Sequence, residues 1–484
     1  MMTFFIHQIL FLITKPYYNR FRKESTDLKK TQLNILKSII GTDNLEEFRI
    51  KHPLSIYEDY TSQIEEMRIN STKLQFVPTS GSTNSIKWIP YTNAFKKELF
   101  KASSVWIHDL YQRYPKLKTG KHYWSLSWLP KEIRKSQRSS DVDFFSGLEK
   151  WCLAQTMATT DSLMETETLR ESMLETLIIL LNKKITLISV WSPTFLIEML
   201  DLIIQDKNYL IPRVHNVQKK KVISQVEVLD FSVMQILFPD LLVVSSWDSS
   251  SSAYYAEKLK KYFSYAQFEA KGLWATEGVI TFPLQNKNVL AYQSHFYEFR
   301  NIDTQQILYS WELEKGMLVS PILTTGSGFK RYIIDDLCEV AEIVNGLPCI
   351  EFKVRLGSTD LVGEKISTQV AESIIAKMNT QFNCKGICLI AHQVDQPFYE
   401  LLIENNPSDF DVIVIQKFLE DSLNDHFHYK LARELNQLAV SRVRLEEHAH
   451  LTYIKMKGKS VKILGNIKIE PLILNSANKV VENT

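Results

Sequence analysis

The chain has 484 residues, 45% of them hydrophobic and 23% charged, which excludes a disordered, fibrous or mini-protein and leaves room for one large domain and a smaller one. Fifty-seven basic residues against 55 acidic ones give a formal charge of +2, so no strong field for nucleic acid or an anionic membrane is built into the composition. Glycine is scarce, at 15 residues or about 3% against a usual ~7%, and each one therefore marks a place where the backbone needs it.

In chain order, Met1 to Thr14 is apolar apart from His7 and Gln8 and stops at Lys15 and Pro16. It is too short to span a bilayer and lacks a basic leader and a small-residue cleavage site. The pattern predicts an amphipathic first helix packed on the body, continued by Leu33, Ile35, Leu36 and Ile39, with docking on a membrane surface as the lesser alternative. Leu174, Leu177, Ile178 and Leu181 keep helical spacing, Ile185 to Val190 reads as a buried strand, and a helix starts near Pro193. Another strand is expected at Leu241 to Ser245. From Gly272 to about Thr325 short β-patterned runs dominate: Gly278 to Leu284, Val289 to Arg300, Gln306 to Glu312 and Met317 to Leu323. Beyond them a β-α-β-β-α order is read from Ile350 to Arg355, Ser367 to Met378, Gly386 to Val394, Phe398 to Glu404 and Asp411 to Leu438. The expected fold is mixed α/β: a large N-terminal domain with a barrel-like antiparallel portion, and a small α+β C-terminal domain on a hinge near Arg355 to Lys365. The five cysteines, Cys152, Cys338, Cys349, Cys384 and Cys388, are scattered and lack histidines at zinc spacing, which favours inert thiols in a reducing compartment, the cytoplasm.

Three segments could carry chemistry. Thr79-Ser80-Gly81-Ser82-Thr83-Asn84-Ser85-Ile86-Lys87 gathers hydroxyls, a glycine and a lysine in a turn, as a nest for phosphate oxygens would, although such a cluster alone is more often a plain surface turn. The Walker spacing is absent. Gly272-Leu273-Trp274-Ala275-Thr276-Glu277-Gly278 sets a carboxylate beside a glycine, a suitable ligand for Mg2+ between phosphates or an ordinary loop acid. Thr324 to Asp336 ends in Tyr332-Ile333-Ile334-Asp335-Asp336, where an aspartate could accept ribose hydroxyls and an aromatic could cover a base, or the acids could cap a turn.

Taken as an ordered set, these segments resemble the acyl acid amido synthetases known as the auxin-responsive Gretchen Hagen family, part of the adenylate-forming superfamily. The resemblance spans roughly residues 30 to 472 and includes Leu187 to Pro193, Ser246-Trp247-Asp248, His295-Phe296-Tyr297-Glu298-Phe299, Gly363-Glu364-Lys365, Pro397 to Glu404 and Gly465-Asn466-Ile467-Lys468. It implies an N-terminal domain over 1–355 that binds ATP and the acyl substrate, and a mobile lid over 356–484. It further implies that Ser80, Gly81, Ser82 and Thr83 form the phosphate loop with Lys87, and that Ala275, Thr276 and Glu277 lie against adenine and phosphates, Glu277 holding Mg2+. Tyr332 would neighbour the adenine, Asp336 bind the ribose, and Arg355 sit at the hinge. Lys468 would be the C-terminal lysine of the adenylation step, and Trp191 and Trp247 would border the acyl pocket.

The sequence departs from the family pattern at Asn84, Ile86, Ile333 and Asp335, and the stretch from Gly41 to Pro53 is shorter than its counterpart. Asn84 tolerates a left-handed backbone and can preserve its turn; Asp335 has no such excuse. The activity implied is ATP-dependent adenylation of a small carboxylic acid followed by transfer to an amino acid or other amine, with no nucleic-acid partner and no stable membrane insertion. The competing readings are an acyl-CoA ligase and a non-catalytic binder of nucleotide or acyl groups.

Overall fold

The computed structural model describes residues 2–71, 74–78, 87–125, 147–159, 166, 168–249, 252–355, 358–404, 411–447, 449–456 and 470–476. Two compact units are distinguished, one built from the chain up to Pro78 and from Trp88 to Val354, the other from Thr79 to Lys87 and from Arg355 onward.

The first unit begins with the helix Met2–Glu24. Ile6, Leu10, Thr14, Tyr18 and Phe21 recur every three or four residues and form its buried stripe. The helix runs on through Pro16. A proline removes the hydrogen bond to the carbonyl four residues earlier, here that of Leu12. Both residues lie on the exposed side, where water can satisfy the freed carbonyl. The ring of Phe21 enters the core between Tyr292 and Phe282, with centroids 4.6 and 5.3 Å away. A second helix, Leu28–Ile40, is capped by the Asp27 carboxylate and closes on a left-handed Gly41.

Four strands, Lys121–Trp124, Ile185–Ser189, Val243–Ser246 and Gln267–Ala270, form a parallel sheet in that order. The two central strands are buried at every position, as expected for parallel strands covered by crossover helices on both faces. The helices Leu169–Asn182, Pro193–Gln205 and Ala253–Tyr262 fall in the three crossovers, Pro193 occupying the first turn of its helix.

Eight strands between Thr281 and Arg355 form the second sheet of this unit, ordered Ile307–Tyr309, Phe296–Asn301, Leu318–Thr324, Asp336–Val344, Leu347–Arg355, Lys287–Leu290, Thr281–Leu284, with Tyr332–Ile333 attached to Leu318–Thr324. Two tight hairpins turn at Gln285-Asn286 and Asn345-Gly346, each residue at positive φ, the geometry that matches the twist of the paired strands. The run expected from Val289 to Arg300 is split, because residues 291–295 turn inward between Lys287–Leu290 and Phe296–Asn301.

The second unit holds a four-stranded sheet, Arg442–Glu446, Phe398–Glu404, Gly386–Gln393, Leu472–Ser476, whose central pair is antiparallel and whose outer strands join in parallel. The strand at Ile350 to Arg355 belongs to the eight-stranded sheet and not to this one, so the anticipated β-α-β-β-α unit loses its first strand. The single helix expected over Asp411 to Leu438 is two, Val412–Asn424 and Phe427–Glu434. All five cysteines are buried free thiols.

The N-terminal helix is locked to the body by histidines. His7 Nε2 donates to the Gly120 carbonyl (2.8 Å), so Nδ1 accepts from the Tyr111 hydroxyl (2.6 Å), and the ring sits 4.5 Å from that of His122. Burial, with Lys118 and Lys121 nearby, pushes the His7 pKa down to about 4 and that of His122 well below its ordinary value. A histidine held neutral by folding contributes stability that is complete above its unfolded pKa of ~6.5 and is lost as pH falls from there toward the folded value. We predict that His7→Gln, which keeps a donor and an acceptor, removes about 2 kcal/mol of the drop in urea-unfolding free energy between pH 7 and pH 5; an unchanged drop would contradict this role.

Candidate active site

The strands Gln75–Pro78 and Trp88–Tyr91 pair in antiparallel register, Pro78 opposite Trp88, and are joined by residues 79–87. Ser80, Gly81, Ser82 and Thr83 lie outside the described residues, as does Lys468. Lys87 is half-buried at the foot of the second strand. Arg355 is the last residue of its strand.

Residues 91 to 98 gather the other two segments. Trp274–Ala275 pairs with Gly278–Val279, which makes Thr276 and Glu277 a two-residue hairpin turn. The Tyr91 hydroxyl donates to the Thr276 carbonyl at 3.1 Å. Thr92 caps the helix Asn93–Arg113 by accepting from the Phe95 N–H, and its hydroxyl donates to the Gly326 carbonyl at 2.6 Å. One turn on, the buried Glu98 carboxylate accepts from the Gly326 N–H (2.9 Å) and from His295 Nδ1 (2.8 Å). His295 Nε2 in turn accepts from the Val279 N–H at 3.1 Å, which fixes the ring as the Nδ1–H tautomer. One carboxylate and one imidazole thus tie the Thr276-Glu277 hairpin, the Gly326 loop and the helix that follows the first hairpin into a single block.

Glycine permits that closeness. A Cβ on Gly326 would sit 2.5 Å from a Glu98 oxygen and 2.9 Å from Ala94 Cβ, and one on Gly278 would sit 2.9 Å from Leu323 and 3.0 Å from His295. Neither glycine has a positive φ, so space and not backbone conformation excludes other residues.

Glu277 is only 8% exposed and makes no hydrogen bond or ion pair among the described residues. A carboxylate oxygen pair with no partner of its own could ligate a cation brought by a ligand. Tyr332 is buried with its ring stacked on Phe329 at 4.7 Å, and Phe329 meets Tyr60 edge-on at 4.9 Å. Ser55 and Tyr60 hold the Lys330 carbonyl, and a bridge between Ser55 and Tyr332 fixes the register. Arg331, at φ 52°, turns toward the buried Glu298 carboxylate, which accepts from Arg331 (2.8 Å) and from the partly exposed Arg49 (2.9 Å). Asp336 is buried at the start of its strand, while Asp335 points to solvent. The replacement of a small residue at 335 is therefore accommodated outside the packed face.

Trp191 and Trp247 follow the carboxyl ends of two adjacent parallel strands, the position where open α/β sheets bind ligands. Their rings lie 5.6 Å apart, and Trp274, on the hairpin that carries Glu277, lies 6.3 Å from Trp191. Sequence reading missed Lys271, which is buried with Nζ donating to Ser189 Oγ and lying 4.7 Å over the Trp191 ring. It also missed Tyr91, Thr92 and Glu98; His295 was noted only as part of a matching run.

The sequence matches the GH3 family N-terminal domain over residues 18–230 and the GH3 family central domain over residues 288–355, together more than half of the chain. The chain belongs to the GH3 family. The GH3 fold is also that of two similar solved structures. The GH3.15 acyl acid amido synthetase in complex with 2,4-DB is 14% identical, with a TM-score of 0.63 over 95% of this chain and 94% of that one. A second GH3.15 acyl acid amido synthetase structure is 13% identical, with a TM-score of 0.59 over 91% and 90%. No curated protein sequence matches this GH3 chain.

We predict that Gly326→Ala, which forces Glu98 away from either the loop or His295, destabilises the first unit by about 1–3 kcal/mol in urea unfolding. Unfolding indistinguishable from the parent chain would show that the close approach is not required.

Proposed function

We propose that this GH3 chain is a ligase that adenylates a carboxylic acid with ATP and passes the acyl group to an amino acid or another amine. The observation that carries the reading is the junction at Glu98 and His295, which brings the Thr276-Glu277 hairpin and the Gly326 loop to the helix following the hydroxyl-rich segment 79–87. Those are the segments in which the family resemblance places phosphate, adenine and ribose contacts. Glu277, which makes no hydrogen bond or ion pair among the described residues, would hold the Mg2+ that accompanies ATP.

In this reading the N-terminal domain, 1–355, binds both substrates and the C-terminal domain, 356–484, is the lid hinged at Arg355. Ser80, Gly81, Ser82 and Thr83 cradle phosphate oxygens, Ala275 and Thr276 flank the nucleotide, Tyr332 neighbours the adenine, and Asp336 accepts the ribose hydroxyls. The acid lies near Trp191 and Trp247, whose contact with Trp274 connects the acyl end of the site to Glu277. Mg2+, held by Glu277, would neutralise charge on the phosphates. A carboxylate is a poor electrophile because its leaving group would be oxide. Its attack on the α-phosphorus expels pyrophosphate and leaves a mixed anhydride, whose carbonyl an amine can attack with AMP departing. Lys87 and Lys468 supply positive charge where the phosphate oxygens gain negative charge, and no nucleophilic side chain is required.

Pyrophosphate release over a panel of carboxylic acids, with and without amines and with coenzyme A as the competing acceptor, tests the reading. Acid-dependent release with an amide product is expected, and well-folded protein that releases none with any acid would refute it. We predict that Asp336→Ala weakens ATP binding about tenfold or more, measured by calorimetry, through loss of charge-assisted hydrogen bonds to the ribose. Lys468→Ala is expected to slow adenylation by roughly 100-fold or more while sparing the conversion of supplied acyl-adenylate. Adenylation at the parent rate in Lys468→Ala would remove Lys468 from the first half-reaction.

A further inference from the structure

The outer face of the N-terminal helix takes no part in that site. From Met2 to Thr14 the sequence contains no Asp, Glu, Lys or Arg. Ile6 and Leu10 are buried against the body, yet Met2, Phe5, Ile9 and Leu12 are 73%, 58%, 38% and 63% exposed. Their spacing of three, four and three residues places them in one stripe about 15 Å long. A helix that is apolar all round belongs in a core or against lipid, and only the inner half of this one has a core. The helix Gly147–Thr156 packs beside it and leaves Leu148 and Trp151, one turn apart, 54% and 49% exposed.

The charge of the same segment says what covers the stripe. Residues 2–30 contain six basic side chains, Lys15, Arg20, Arg22, Lys23, Lys29 and Lys30, and two acids, Glu24 and Asp27, a net +4. The whole chain carries +2, so the remainder is −2 and the positive charge is concentrated here. Arg20 is paired with Glu24 at 2.7 Å, whereas Lys15, Arg22 and Lys23 are exposed and form no ion pair among the described residues. A second copy docking through this face would bring two such positive segments together. An anionic lipid surface would instead accept the apolar stripe below its headgroups and the basic side chains among them, as interfacial helices do, with Trp151 at the boundary. Among the described residues no helix is long and apolar enough to cross a membrane.

We propose that the N-terminal helix, flanked by Leu148 and Trp151, docks this protein on the surface of an anionic membrane. The inference goes beyond the amide-forming reading and is independent of which acid the site takes.

Co-sedimentation of the full chain with phosphatidylcholine vesicles, with and without phosphatidylglycerol, tests it. Binding is expected to the anionic vesicles, at least about tenfold stronger than to pure phosphatidylcholine and weakened by high salt. The exposed double substitution Phe5→Ser/Leu12→Ser should reduce it about tenfold or more, and Lys15→Gln/Arg22→Gln/Lys23→Gln by on the order of 100-fold, with thermal unfolding of both variants unchanged. Three outcomes would overturn the proposal: no pelleting of folded protein, equal pelleting with both vesicle types, or a concentration-dependent dimer that Phe5→Ser/Leu12→Ser dissolves.

Discussion

Inside the N-terminal unit a carboxylate on the first turns of the helix Asn93–Arg113 holds an imidazole from residue 295 and a backbone N–H from residue 326, and the imidazole holds the N–H of Val279. His295 and Gly326 converge on one oxygen of the buried Glu98 carboxylate, and a network of this kind favours one arrangement, since losing a member strands another. The arrangement imposed is the meeting of three segments that are far apart in sequence. Two glycines in a chain with few of them stand where a methyl group would push the network apart. These two of the scarce glycines thus mark close approaches at the proposed nucleotide site.

The parallel sheet and the antiparallel sheet contribute differently. The parallel strands end in Trp191, Trp247 and Lys271, and so supply an aromatic and cationic surface at their carboxyl ends. The hairpin Trp274–Val279 links that surface to Glu277 through the ring of Trp274, and the Glu98–His295 junction fixes the hairpin against the loop at Gly326. The Arg49–Glu298–Arg331 triad works at a second level: it anchors the backbone reversal at Arg331, from which Tyr332 and Asp336 follow. The proposed acid end and the proposed nucleotide end are therefore linked by one continuous set of packed groups in the first unit.

Much of this was legible in the sequence. Periodicity located the helix around Leu174 to Leu181, the buried strand from Ile185 and the helix at Pro193, because each has a clean apolar pattern or a start signal. The ordered motifs supplied the family. The first helix runs through Pro16 because Leu12 and Pro16 face solvent, where the lost hydrogen bond costs little, and a sequence does not show this. The strand from Ile350 was assigned to the wrong sheet because local pattern carries no information about its partner, which is Lys287–Leu290 on one side. Glu98 was invisible for the same reason: it is an ordinary acid on a helix until residues 295 and 326 are brought to it. Lys271 likewise acquires meaning only through the tryptophans contributed by other strands.

The central claim is that the Glu98–His295 junction aligns one nucleotide site. A crystal structure of the chain with Mg2+ and a non-hydrolysable ATP analogue tests this directly. The account predicts the metal on the Glu277 carboxylate, the ribose on Asp336, and the Glu98–His295–Val279 contacts intact beneath the nucleotide. A nucleotide bound away from Glu277 and Asp336, or bound there with the Glu98–His295 pair broken, would contradict it.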